Sequence, residues 1–161
     1  MKSKKVLLVA FALVLTMCLV AGCGSSNSGE KQTASAWQTV GDGDKQAVMT
    51  VDLTGGYSVE FATGAAYFYK GEPSDDNEVL AFGYVITEKE YNDEVSYFQN
   101  NDEYKDALQD LGDGVYCYSE ETGAQYFMPA EDGFYLKIAV QEAGMDEADS
   151  IYPRFSADSG E

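Results

Sequence analysis

The chain has 161 residues, 45% of them hydrophobic and 13% aromatic, which suits one compact domain. Ten basic residues face 28 acidic ones; Lys2, Lys4 and Lys5 precede the first acid, Glu30, so without that leader seven bases face 28 acids and the net charge is −21. Such a surface repels nucleic acid phosphates and anionic lipid headgroups, and the absence of histidine removes the commonest general base and transition-metal ligand. The plain role of this charge is solubility and spacing from a membrane; an acidic docking site for a cationic partner is the alternative.

An export leader is expected first. The three lysines are followed by VLLVAFALVLTMCLV, Val6 to Val20, a 15-residue apolar run. That is short of the roughly 20 residues needed to cross a hydrocarbon core and suits a signal-peptide core. The run closes in Val20-Ala21-Gly22-Cys23, which resembles the lipobox of bacterial lipoprotein precursors. The resemblance implies cleavage between Gly22 and Cys23 and a diacylglyceryl group on the Cys23 thiol; Val20 departs from the commoner leucine. An ordinary cleaved signal with an incidental cysteine is the competing reading. Cys18 would leave with the leader. Each buried CH₂ contributes about 0.8 kcal/mol, so two acyl chains on Cys23 hold where one holds only marginally. GSSNSGEKQTASA, Gly24 to Ala36, then has the composition of a flexible linker, with a reach of about 20 Å. The expected division is thus 1–22 signal peptide, 23–36 lipidated cysteine and linker, 37–161 acidic extracytoplasmic domain.

From Trp37 the pattern becomes structured. Met49, Val51 and Leu53 alternate with polar residues, as do Tyr57, Val59 and Phe61 after Gly55-Gly56, predicting two strands in a hairpin. AAYFYK and the nearly continuous apolar run EVLAFGYVI, Glu78 to Ile86, predict two more strands, the latter central. Thr87 with Glu90 has capping-box spacing, and Tyr91, Val95 and Phe98 recur at helical intervals. Asn100 with Glu103, leading to Tyr104, Leu108, Leu111 and a Gly112 stop, extends the helix or adds a second one. VYCYS and FYLKIAV read as strands. Met145, Ala148, Ile151 and Tyr152 read as a short amphipathic helix that Pro153 ends or kinks. TGAAYF (63–68) and TGAQYF (122–127) look alike, and independent hairpin chemistry explains them better than a duplication.

The order of elements predicts an α+β domain: a mostly antiparallel sheet of about six or seven strands flanked by helices. GGYSVEFA, FYLKIAV and the following DEADSIYPRF resemble bacterial members of the PsbP-like group. That resemblance implies an antiparallel sheet with helices against it and carries no functional residue over.

Cys117 is the one cysteine remaining after lipidation, which leaves no intramolecular disulfide. It alternates with Tyr116 and Tyr118, and without a histidine to activate it a buried structural thiol is expected. An exposed thiol follows only if the strand register runs the other way. The loop GEPSDDNE offers Glu72, Asp75, Asp76, Asn77 and Glu78 as oxygen ligands for calcium, but neither it nor DGDK at 42–45 has the EF-hand register; a solvated turn is the default. Twelve tyrosines suit a half-buried pleated surface, or a face that stacks on a sugar or holds a peptide. Tyr116, Tyr118 and Tyr135 are the candidates for that partner face. The expected function is a membrane-anchored lipoprotein with a non-catalytic domain that binds a protein or an envelope polymer. The alternatives are a carboxylate-dependent envelope enzyme and a calcium-dependent module; no other cofactor and no nucleic acid partner is expected.

Overall fold

The structure, a computed structural model, describes residues 32–160 apart from 42, 44, 63, 75 and 76. Among the described residues, ten strands form two antiparallel sheets. A small sheet has the order β1-β2-β10, from β1 (Thr33–Val40), β2 (Lys45–Asp52) and β10 (Phe155–Asp158). The large sheet has the order β3-β4-β5-β9-β8-β7-β6. It comprises β3 (Tyr57–Ala62), β4 (Ala65–Lys70), β5 (Val79–Ile86), β6 (Leu108–Gly112), β7 (Val115–Glu120), β8 (Gly123–Pro129) and β9 (Tyr135–Gln141). Helix α1 (Glu88–Asn100) joins β5 to β6. The short helix α2 (Ala148–Ile151), between the 3-10 turns Glu142–Glu147 and Tyr152–Arg154, joins β9 to β10.

The large sheet separates two hydrophobic cores because its strands alternate. Leu136, Ile138 and Val140 of β9 and Phe68 of β4 point towards the small sheet, where they meet Met49, Val51, Phe155 and Ala157, with Ile151 of α2 closing the side. Gly83 of β5 permits the close approach: a Cβ there would lie 2.6 Å from the Phe155 ring. Phe68 meets the same ring edge-to-face, centroids 5.6 Å apart. The opposite face of the sheet receives Tyr91, Val95 and Phe98 of α1, the three positions expected from helical spacing. The capping box is also formed. Thr87 Oγ1 accepts from Glu90 N at 3.2 Å, and Glu90 Oε2 accepts from Thr87 N at 2.7 Å, satisfying two otherwise orphaned donors.

Four local expectations are corrected by tertiary pairing. The alternating runs on either side of Gly55-Gly56 are not a hairpin: β2 pairs with β1 and β10, and β3 pairs with β4. Both glycines have positive φ, 102° and 85°, and carry the chain from one sheet to the other. The strand β1 begins at Thr33, so the last four residues of the segment read as linker pair with β2. Leu108–Gly112 is a strand, not a helix. Asn101 ends α1 in an extended conformation, its side chain accepts from Glu103 N at 3.0 Å, and Leu111 is 44% exposed rather than on a buried helical stripe. Finally, ten strands in two layers exceed the six or seven expected, although the large sheet alone has seven and is antiparallel throughout. The two TGA motifs lie at hairpins in different phase. Gly64 sits between the paired Ala62 and Ala65, whereas Gly123 itself pairs with Glu120.

Candidate functional site

Helix α1 covers only part of one face of the large sheet, and the site is built from what it leaves. Its packing falls on β8 and β9 and on the rings between them and β6. There Phe98 stacks on Tyr118 with centroids 4.4 Å apart, and Tyr91 lies 4.5 Å from Tyr135. Tyr118 is buried, and its phenol donates to Glu120; that bond, then burial, pushes its pKa up to about 12. Tyr116 and Tyr135 are half-buried against the same cluster. The three tyrosines expected to form a partner face thus share one face, but α1 lies on it and makes them its seat.

The open aromatic face lies on the neighbouring strands. Register places Glu60 of β3 opposite Tyr67 of β4, Tyr67 opposite Phe82 of β5, and Phe82 opposite Ala139 of β9. The Tyr67 and Phe82 rings meet edge-to-face at 5.0 Å. Two residues along β5, Tyr84 stands opposite Lys137. Tyr67, Phe82 and Tyr84 are half-buried and Glu60 is exposed, while Tyr69 is buried. Burial, with Tyr67 close by, raises the Tyr84 phenol; burial, Glu60 and Tyr67 raise that of Tyr69. The Tyr69 and Tyr84 phenols therefore stay protonated near neutral pH.

Where this row meets α1, an open cleft of about 450 Å³ is lined by Tyr84, Ile86, Glu90, Glu94, Gln125 and Lys137, with Ala139. Its carboxylates have partners. Glu94 accepts from Lys137 Nζ at 2.6 Å, and Glu90 is held in the capping box. Lys137 Nζ also lies 5.5 Å from the Phe127 ring centroid.

A second cleft, about 430 Å³, lies beside α2 and is lined by Ser119, Tyr126, Asp149 and Ser150 among others. Tyr126 donates to Asp149 at 3.0 Å and stacks on Tyr152 at 4.3 Å. Cys117 pairs across the strands with Tyr126 and is buried. Burial pushes its thiol up, against a smaller downward pull from the Tyr126 hydrogen bond, so no thiolate nucleophile forms near neutral pH.

Cys23, with Gly22 before it, lies outside the described residues, as do Asp75 and Asp76 of the acid-rich loop and Asp42 and Asp44. Among the described residues no group of three acidic or cysteine side chains is placed to hold a metal, and no helix is long and apolar enough to cross a membrane. No family model, curated protein or solved structure matches this chain.

Glu60, Tyr67, Phe82 and Tyr84 escaped the sequence reading as a site. The signal for them lies in AFGYVI: small Ala81 and Gly83 alternate with Phe82 and Tyr84. Small residues on one side of a strand mark close packing, as Gly83 shows against Phe155. Phe82 and Tyr84 then fall on the opposite face, where α1 packs on β8 and β9.

Proposed function

We propose that this chain is a membrane-anchored extracytoplasmic lipoprotein, tethered through a diacylated Cys23, whose acidic α+β domain is a non-catalytic binding module for a protein or an envelope polymer. One observation carries the binding reading: α1 packs on β8 and β9, and Glu60, Tyr67, Phe82 and Tyr84 stand on the same sheet face outside that cluster, with Tyr84 lining an open cleft. Aromatic rings of this kind supply large contact area with few torsions to freeze. The engagement of Glu90, Glu94 and Asp149 in capping, an ion pair and a phenol hydrogen bond favours binding over carboxylate chemistry. The PsbP-like resemblance belongs to this proposal as a statement about the fold alone.

The test places a photo-crosslinking amino acid at Tyr84 or, as a control, at Tyr97, which is 56% exposed on α1. On intact cells position 84 should recover a recurrent partner that position 97 does not. Equal recovery at both, or none, overturns the binding face. The anchor is tested separately: Cys23→Ala should abolish fatty-acid labelling and remove the protein from the membrane fraction, and unchanged labelling overturns it. Calcium-dependent stabilisation in a thermal melt, absent with magnesium, would instead favour the calcium module.

A further inference from the structure

Wherever the described residues hold a cation against an aromatic ring, a carboxylate is beside it. On the small-sheet side of β3, Lys70 Nζ lies 4.5 Å and the Arg154 guanidinium 4.3 Å from the Tyr57 ring centroid. Tyr57 donates to Glu147, which also accepts from Lys70 at 3.4 Å. On the α1 side, Lys137 sits over Phe127 and pairs with Glu94. Both arrangements combine the negative face of a ring with a carboxylate, and the long side chains of Lys and Arg lay their apolar stems along the ring as they reach it.

The row Glu60, Tyr67, Phe82 has the ring and the carboxylate and, among the described residues, no cation over it. The Glu60 side chain has no ion pair or hydrogen bond among the described residues. Lys137, the nearest base in the register, is neutralised by Glu94. Lys89 and Lys105 pair with Asp93 and Asp102. Around this row the domain carries −21 beyond its leader, a field that draws polycations in and turns polyanions away.

We infer that the open face of β3, β4 and β5 receives a basic peptide segment of a partner protein, whose Lys or Arg side chains lie over Tyr67, Phe82 and Tyr84 with their charges on Glu60. The inference rests on the binding-module reading and names its partner. A phosphate-bearing or carboxylate polymer would be repelled here, and a neutral glycan would gain stacking while leaving Glu60 unpaired.

The test uses the full chain in neutral detergent micelles and a fluorescent nonapeptide of alternating Lys and Ala. Tyr67→Leu and Tyr84→Leu keep the apolar bulk and remove the ring quadrupole. Each should weaken binding about fivefold. Glu60→Gln should weaken it similarly, and acetylating the peptide lysines should remove most of it. Asp102→Asn removes the same unit charge at a remote site and should have little effect; circular dichroism confirms that each variant is folded. Equal losses for Glu60→Gln and Asp102→Asn, or undiminished binding of the acetylated peptide, overturn the inference in favour of diffuse attraction or plain apolar contact. Binding of a neutral N-acetylglucosamine oligomer through Tyr67 and Tyr84, without the peptide, overturns the basic partner and keeps the binding face. Failure of cellular crosslinking at position 84 removes the face itself.

Discussion

Two halves of one sheet face are made from the same residue types and have different fates. On β7, β8 and β9, Tyr118, Phe127 and Tyr135 lie beneath Tyr91, Val95 and Phe98 of α1; on β4 and β5, Tyr67, Phe82 and Tyr84 remain half-buried outside the cluster that α1 forms. The difference comes from the connection. α1 leaves the end of β5 and must deliver the chain to β6, at the far edge beyond β9, β8 and β7. Its 13 residues make about 20 Å of helix, and with strands about 4.8 Å apart that length spans the strands between those ends. It has no route back over β3 and β4. On the face that α1 packs against, Tyr118 and Phe127 are core, whereas Tyr67, Phe82 and Tyr84 stay half-buried.

That contrast is most strongly tested beneath the helix. Phe127 is fully buried, and Phe127→Ala should cost about 3–5 kcal/mol in urea unfolding through lost transfer energy and an unfilled cavity. A cost below that of a surface change would mean that α1 does not seal this half. Gly83→Ala probes the other side of β5: its Cβ would drive into the Phe155 ring, and overpacking of this kind costs about 1–3 kcal/mol. Thr87→Ala removes the N-cap of α1 and should cost about 1 kcal/mol, with faster amide exchange in the first helical turn than elsewhere.

Alkaline titration separates the halves without changing their packing. The Tyr118 phenol is raised to about 12 by its bond to Glu120 and by burial, so folding favours its protonated form. This contribution is fully present below the unfolded phenol value near 10 and disappears as pH rises through the folded value. Tyr118→Phe should therefore flatten the loss of melting temperature between about pH 10 and 12; an unchanged slope would place that loss on other phenols. The smallest stability effect is expected on the open half, where Tyr84→Leu should stay within about 0.5 kcal/mol while reducing peptide binding. A large destabilisation there would show that the open face is core after all.

Legibility followed the range of the interactions. The α1 capping box and its buried stripe were readable because their partners lie three or four residues apart, and β5, β7 and β9 because alternation and apolar runs are local. The 104–112 segment misled because Tyr104, Leu108 and Leu111 have helical spacing, while the pairing of Leu108 with Tyr118 and Gln109 with Cys117 makes the strand. The supposed hairpin at Gly55-Gly56 misled for the same reason: alternation states that a run is a strand and is silent on which sheet it joins. Tyr116, Tyr118 and Tyr135 share one face through strand period and register, and nothing near them in sequence indicates the helix that lies on them.

By itself the sequence determined a strongly acidic α+β domain without histidine, its cap and strand patterns, and, through the lipobox-like Val20-Ala21-Gly22-Cys23, the expectation of an anchor. Tertiary structure alone decided which tyrosines face solvent, that Cys117 is buried, and that Glu60, Tyr67 and Phe82, from three different strands, stand in one row. Composition and short-range spacing act along the chain. Cross-strand register and the path of a crossing helix depend on contacts between residues far apart in it.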